Sequence, residues 1–345
     1  MQILRFLATF SSRWSRSGPV GKIILVALLV VLVLYTFNLV IIPLTADPAY
    51  TPTVVAGDPL ATPASATAVS TRRPDALQVH FIDVGQGDAI LLITPDGKTA
   101  LIDGGESGSG VLEYLRSQGV QQLDLLVATH PHTDHIGGLV DVLHKIPVVE
   151  VVTSGQMHTS STYEEFLDGI AAAQAVYTEV QRGDRVQLGA LTCDVLHPTS
   201  GEGDDFNNSS VVLRLVYNQV AFLFVGDAEA KAEADILASV QPLKATVLKV
   251  GHHGSDSSST PEFLARVQPE VAIYCAGTGN SYRHPHAETL AALARIGAQV
   301  YGTDVNGTIV VTSDGSTYTV EVTRQGQPRA PEAADPQAVA ALQPA

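Results

Sequence analysis

THPHTDHIGG, residues 129–138, places four potential metal ligands, His130, His132, Asp134 and His135, within six positions. The residues before it, Leu123 to Ala128 (LDLLVA), form a short apolar run of the kind that makes a buried strand, and Gly137-Gly138 open the next helical pattern. The cluster therefore falls on a strand-to-helix turn. A regular strand or helix spreads neighbouring side chains over different faces, whereas a turn can wrap several around one cation. Imidazoles mixed with carboxylates suit zinc, with manganese and iron as harder relatives. A lone HxH would be a weak sign. HxHxDH followed by GG, directly after an apolar strand, is a specific one.

This stretch resembles the signature of the metallo-β-lactamase superfamily. The resemblance implies an α+β fold, a four-layer αββα sandwich with a one- or two-metal site at the sheet edges. It also implies that His130 and His132 hold the first ion and Asp134 and His135 the second, with further ligands downstream. Six other blocks in chain order, HFIDVGQGDAILL, LIDGG, NNSSVVLRL, FLFVGDAE, LKVGHHGS and NSYRHPH, narrow the resemblance to the metallo-β-lactamase domain of ComEC-type DNA internalisation proteins. It covers roughly Leu77 to Ser316. Such proteins also carry an integral-membrane channel and an OB-like domain. This sequence has a single hydrophobic span, so the expectation is a stand-alone, membrane-tethered relative.

Upstream of the cluster, Leu77 to Asp83, Ala89 to Thr94 and Thr99 to Asp103 are three β-patterned runs expected to form an antiparallel meander. Asp83 to Asp88 (DVGQGD) joins the first two; it reads either as a tight hairpin or as a loop bringing Gln86 and Asp88 to a substrate. Downstream, helices are expected near 110–118, 139–145 and 164–175, and a polar loop carries His158, a candidate for the substrate mouth. Asp227 ends the apolar run VAFLFVGD. A desolvated carboxylate there needs compensation, from a dinuclear cation or, as an N-cap, from helix 228–239. In the superfamily this Asp bridges both metals. Where many members place a further His, this chain has Asn207-Asn208. A neutral amide is the poorer ligand, so Asn208 is assigned to substrate contact, and the first metal is expected to bind less tightly.

Gly251-His252-His253-Gly254-Ser255 follows the strand-like Thr246 to Val250. One His is expected as a ligand and the other as a proton donor or phosphate contact. His253 is taken as the ligand and His252 as the catalytic one, with Ser255 beside the substrate. His284, in GNSYRHPH, rivals His253 for the last metal position and otherwise protonates the leaving group; Arg283 is a candidate phosphate contact. Three strands from 299 to 322 are expected to close the second sheet. Cys193 and Cys275 sit in strand-like runs and read as buried thiols, with a disulfide open to an exported protein.

The ends read differently. Residues 1–19 are basic, and residues 20–44 are almost uninterruptedly apolar, enough to cross a bilayer. Arg5, Arg13 and Arg16 precede this span and no positive charge follows until Arg72, which orients the remainder outside the cytoplasm. An uncleaved anchor in the cell membrane is preferred to a signal peptide cut after Ala46. Residues 45–76 form a Pro/Ala/Thr-rich linker, 77–324 the folded domain and 325–345 a tail. Formal charge is −15, and beyond Asp75 there are 14 Lys/Arg against 32 Asp/Glu, a balance that gives no general attraction to DNA or anionic lipid.

The chemistry expected is hydrolysis assisted by one or two Zn2+ ions, with Mn2+ as the alternative. A metal-bound hydroxide would attack, and Asp134 would orient it. The ComEC-like resemblance implies a phosphodiesterase or nuclease acting on extracytoplasmic DNA or nucleotides. Hydrolysis of a small ester, lactone or β-lactam is the competing reading, and a non-catalytic binding module on the membrane surface the third.

Overall fold

Strand β1 (Leu77–Phe81) is buried along its whole length. Leu77, Val79 and Phe81 join an apolar layer shared with the strands of a second sheet, while His80 turns the other way, its Nδ1 2.8 Å from the hydroxyl of Tyr114. A strand covered on both faces implies layers on both sides. The computed structural model describes residues 75–199 and 205–328.

The first sheet continues through β2 (Ile90–Ile93), β3 (Thr99–Ile102), β4 (Leu123–Ala128), β5 (Val148–Thr153) and β6 (Val176–Glu179). The second holds β7 (Arg185–Leu188), β8 (Leu191–His197), β9 (Val212–Tyr217), β10 (Val220–Phe224), β11 (Val247–Lys249), β12 (Val271–Tyr274) and β13 (Gln299–Gly302). Strands β14 (Ile309–Ser313) and β15 (Tyr318–Val322) follow. The sheet orders are β15-β14-β1-β2-β3-β4-β5-β6 and β13-β12-β11-β10-β9-β8-β7. Both sheets contribute to the central core, where Phe81 and Phe224 meet with ring centroids 6.4 Å apart.

Helices α1 (Val111–Ser117), α2 (Thr133–Lys145) and α3 (Ser161–Ala173) cover the outer face of the first sheet. Helices α4 (Ala230–Leu237), α5 (Pro261–Val267) and α6 (Ala287–Arg295) cover that of the second, and a short α7 (Thr303–Asn306) leads into β14. The layers are therefore α, β, β, α. β1, β2 and β3 pair antiparallel, as the meander reading expects.

Two features depart from the sequence reading. β14 and β15 extend the first sheet, not the second: β14 pairs antiparallel with β1, Phe81 opposite Ile309. Ile309 and Val311 fill the same inter-sheet layer as Leu77 and Val79, so alternation alone suits either sheet. β6 was not expected; it is a mostly exposed edge strand without alternating burial. Among the described residues no helix is long and apolar enough to cross a membrane. The anchor expected at 20–44 lies outside the described residues.

β3–β4 in the first sheet and β10–β11–β12 in the second are parallel. The chain leaving the carboxyl ends of such strands is where open α/β sheets build sites, and His130, His132, Asp134, His135, Asp227 and His253 all come from those ends.

Candidate metal centre

The turn after β4 is held from beneath by Asp103, which follows β3. One carboxylate oxygen of Asp103 accepts from the Thr129 amide at 2.8 Å; the other accepts from the Thr129 hydroxyl at 2.7 Å and lies 2.8 Å from His135 Nδ1. Asp103 and His135 are fully buried. With Nδ1 donating to a carboxylate, His135 presents its Nε2 to the cluster, the arrangement that fixes metal-ligating imidazoles elsewhere. The Asp83–Asp88 loop closes over this turn: the Asp88 amide donates to the Asp134 carbonyl at 3.3 Å. A Cβ at Gly87, whose φ is +117°, would collide with that same carbonyl, so glycine is required there.

The second sheet supplies the opposite wall. Asp227 lies just past β10, its amide donating to Ser210 Oγ at 3.1 Å. His252 and His253 adopt consecutive left-handed conformations (φ 44° and 56°), a sparsely populated state for non-glycine residues that persists only where surroundings hold it. Here the two rings take different partners. His253 Nδ1 is 2.9 Å from the Cys275 carbonyl and 3.2 Å from Asp88 Oδ1. His252 Nδ1 is 3.0 Å from Glu229 Oε1 and 3.1 Å from Ser257 Oγ. Beneath His253, the other oxygen of Asp88 pairs with Lys249 Nζ at 2.6 Å, both groups buried, and Lys249 also donates to the Val250 carbonyl.

The remaining nitrogens and oxygens converge. Asp227 Oδ2 lies 3.2 Å from His135 Nε2, 3.4 Å from His253 Nε2, 3.7 Å from His130 Nε2 and 3.8 Å from His252 Nε2. Asp134 Oδ2 is 3.2 Å from His253 Nε2 and 3.9 Å from His135 Nε2. His132 Nδ1 stands 3.0 Å from His130 Nε2. His130–His135–Asp227 and Asp134–His135–His253 are each compact enough to share one ion.

Polar groups buried without partners are rare because they are costly. Here three of them, His135 Nε2, His253 Nε2 and Asp227 Oδ1, are buried, make no hydrogen bond and belong to one cluster. Burial disfavours a charged imidazole at His135 and His253, yet the carboxylates around them, Asp227 foremost, outweigh it and hold both rings well above the ordinary histidine range. At His130 burial wins, reinforced by His135, and the ring stays well below it. The pocket thus demands positive charge. A divalent cation meets that demand with the histidines neutral, the form in which they ligate, so the residues present fit such an ion.

The centre floors a cleft of about 360 Å³ lined by Gln86, Glu106, His132, Asp134, Asp227, His252 and Tyr282 among others. A family model described as the metallo-beta-lactamase superfamily matches residues 82–278, which include every residue of the cluster. The chain belongs to the metallo-β-lactamase superfamily. ComE operon protein 3 of Bacillus subtilis is 35% identical over 251 residues, covering 67% of this chain and 32% of that protein. Recombination protein 2 of Haemophilus influenzae is 32% identical over 241 residues (68% and 28%). Competence protein ComA of Neisseria gonorrhoeae is 31% identical over 249 residues (69% and 33%). The domain is of the ComEC type, and the chain spans about a third of the length of these relatives. The superfamily fold binds divalent metals.

Within this metallo-β-lactamase centre the structure gathers His130, His132, Asp134, His135, Asp227 and His253, which the sequence reading names as ligands. Asp227 does not cap α4, whose N-cap is Glu229. His284 is no part of the compact groups: its ring is 5.3 Å from that of His252 and 6.1 Å from that of His253, and burial lowers its pKa to about 4. Gln86 lines the cleft, its Oε1 accepting from the Gly277 amide at 3.2 Å. Arg283 is exposed on the loop between Tyr282 and His284.

Three residues assigned to substrate contact stand elsewhere. Asp88 is 1% exposed and occupied by Lys249 and His253. Asn208 is buried, its Oδ1 accepting from the amides of Glu229 and Ala232 at the start of α4, its Nδ2 donating to Asp205. Ser255 is buried in the turn after His253, its Oγ accepting from the Ser257 amide at 3.2 Å. Asn208→Ala is accordingly expected to cost about 1 kcal/mol, as loss of a helix cap does, with metal content unchanged. Urea unfolding beside metal analysis checks both. The sequence reading missed Asp103, Glu229 and Lys249 as residues that hold site groups. The only signal for the first two is that an acid closes the LID and GDAE runs.

Proposed function

We propose that the chain is a metal-dependent phosphodiesterase that cleaves DNA or nucleotides outside the cytoplasmic membrane, to which the apolar span at 20–44 tethers it. The reading is carried by one observation: unpaired, buried imidazole and carboxylate donors from both sheets converge on the floor of an open cleft. It is supported by relatives whose names speak of competence and recombination, processes that handle DNA.

His130, His132, Asp134, His135, Asp227 and His253 would hold one or two Zn2+ or Mn2+ ions, which supply Lewis acidity toward a phosphoryl oxygen and the attacking water. Asp134, whose side chain is 24% exposed, would accept a hydrogen bond from that water. His252 is also partly open to the cleft; Glu229 and Ser257 hold its Nδ1 and so orient the ring, and in the doubly protonated form its Nε2 would deliver a proton to the departing oxygen. Gln86 and Arg283 are the candidate contacts to the rest of the substrate.

The test takes the full chain in mild detergent with Zn2+ or Mn2+ and offers single-stranded DNA, bis(p-nitrophenyl) phosphate and a chromogenic β-lactam. Metal-dependent cleavage of the two phosphodiesters, lowered roughly 10²–10⁴-fold by Asp134→Ala, is the expected result. Turnover of the β-lactam alone, or of nothing while metal is bound, would sink the reading.

A further inference from the structure

Aromatic rings flank the cluster on two sides. On one, Phe206 packs its ring against His132 (centroids 5.7 Å, 69°) and His158 (4.7 Å, 71°). His132 in turn touches His130. On the other, Tyr282 lies nearly parallel over His284 (5.7 Å, 22°), which packs on His252 and His253. The ligand histidines stand between the two rings along this chain of contacts. Tyr282 is 63% exposed and its hydroxyl makes no hydrogen bond among those of the described residues. A largely exposed ring on the lip of a cleft, backed on one face by His284, is a surface for a planar ligand.

The electrostatics point the same way. Among the described residues no Lys or Arg lines the cleft, while Glu106, Asp134 and Asp227 do, in a chain of formal charge −15. Beyond Arg283 on the lip and the metal ions themselves, a nucleic acid substrate thus finds no basic track for its backbone, and further hold must come from elsewhere. Base–aromatic stacking is the other general source of affinity for single strands, and it tolerates any sequence. Bases within a duplex have both faces covered by their neighbours and cannot reach either ring without being unstacked.

We propose, building on the phosphodiesterase reading, that Phe206 and Tyr282 each stack an unpaired base on either side of the phosphate being cleaved, so that the substrate is single-stranded nucleic acid. His158 and His132 hold Phe206 upright, and His284 backs Tyr282. Affinity then resides in the base faces, and binding depends only weakly on salt compared with a protein that neutralises many phosphates.

The test compares the full chain, in detergent and loaded with Zn2+ or Mn2+, on a single-stranded oligonucleotide, its duplex and an all-abasic strand of equal length. For wild type the single strand is expected to show the lowest KM. Phe206→Ala and Tyr282→Ala should each raise that KM about 5- to 150-fold, the range alanine substitution at stacking platforms covers, with kcat moved far less. The preference for the single strand over the abasic strand should shrink by the same factor, and Tyr282→Phe should restore it. Equal KM for normal and abasic strands in wild type, or an unchanged preference in both alanine variants, overturns the stacking proposal while leaving the phosphodiesterase reading intact. No cleavage of any strand by metal-loaded wild type overturns both.

Discussion

Asp227→Asn is expected to strip the centre of its metal and remove turnover with it. The substitution keeps side-chain volume and one carbonyl oxygen but removes the negative charge that sits within 3.2–3.8 Å of four imidazole nitrogens. Loss of a merely supporting hydrogen-bond partner costs about 10–100-fold in metal affinity; Asp227 belongs to the ligand set itself, with His130 and His135, so the loss should exceed that. Folding should survive, because the Asp227 amide retains its bond to Ser210 and β10 is anchored by Phe222 and Phe224 in the core. Equilibrium dialysis against Zn2+, with circular dichroism as a folding control, checks it. Wild-type affinity in the folded variant would remove Asp227 from the centre.

Lys249→Met should produce the largest loss of stability. Lys249 and Asp88 are both desolvated, and breaking a buried pair by deleting one partner typically costs about 3–5 kcal/mol because the other charge is stranded. Burial opposes the charge on each, but the pairing dominates, holding Lys249 above and Asp88 below their ordinary values. Asp88 would be left with His253 alone, so the damage should reach the metal centre as well as the melting temperature. The combined variant Asp88→Asn with Lys249→Met removes both charges and keeps an acceptor for His253 Nδ1. It should recover most of the loss, since replacing both partners is far less costly than removing one. Urea unfolding of wild type and the two variants decides: a single variant as stable as wild type, or a double variant worse than the single, would show that the pair does not act as described.

How far the sequence could be read follows from where each partner lies. His130, His132, Asp134 and His135 share one turn, so their convergence was visible in a ten-residue stretch. Asp227 and His253 could be found because a charged or imidazole group at the end of an apolar strand has few structural uses. Asp103, Lys249 and Glu229 could not, because their roles exist only through residues far along the chain: Asp103 meets His135 32 positions on. Asn208 was misassigned for the same reason, its partners being backbone amides 21 and 24 residues downstream. Likewise, β14 carries an alternation that fits the inner face of either sheet, and only its pairing with β1 decides between them. Local pattern specified the layers, and long-range pairing specified which residue serves the ion and which serves the fold.

The central claim is that the convergent donors are a metal centre. Its most direct test is the metal content of the purified full chain after incubation with Zn2+ or Mn2+ and exhaustive dialysis, measured by plasma mass spectrometry beside the His135→Ala/His253→Ala variant. The account predicts about one to two equivalents in wild type, as in mono- and dinuclear hydrolase sites, and only background in the variant. Wild type that retains no metal, or a folded variant that retains as much as wild type, would contradict it.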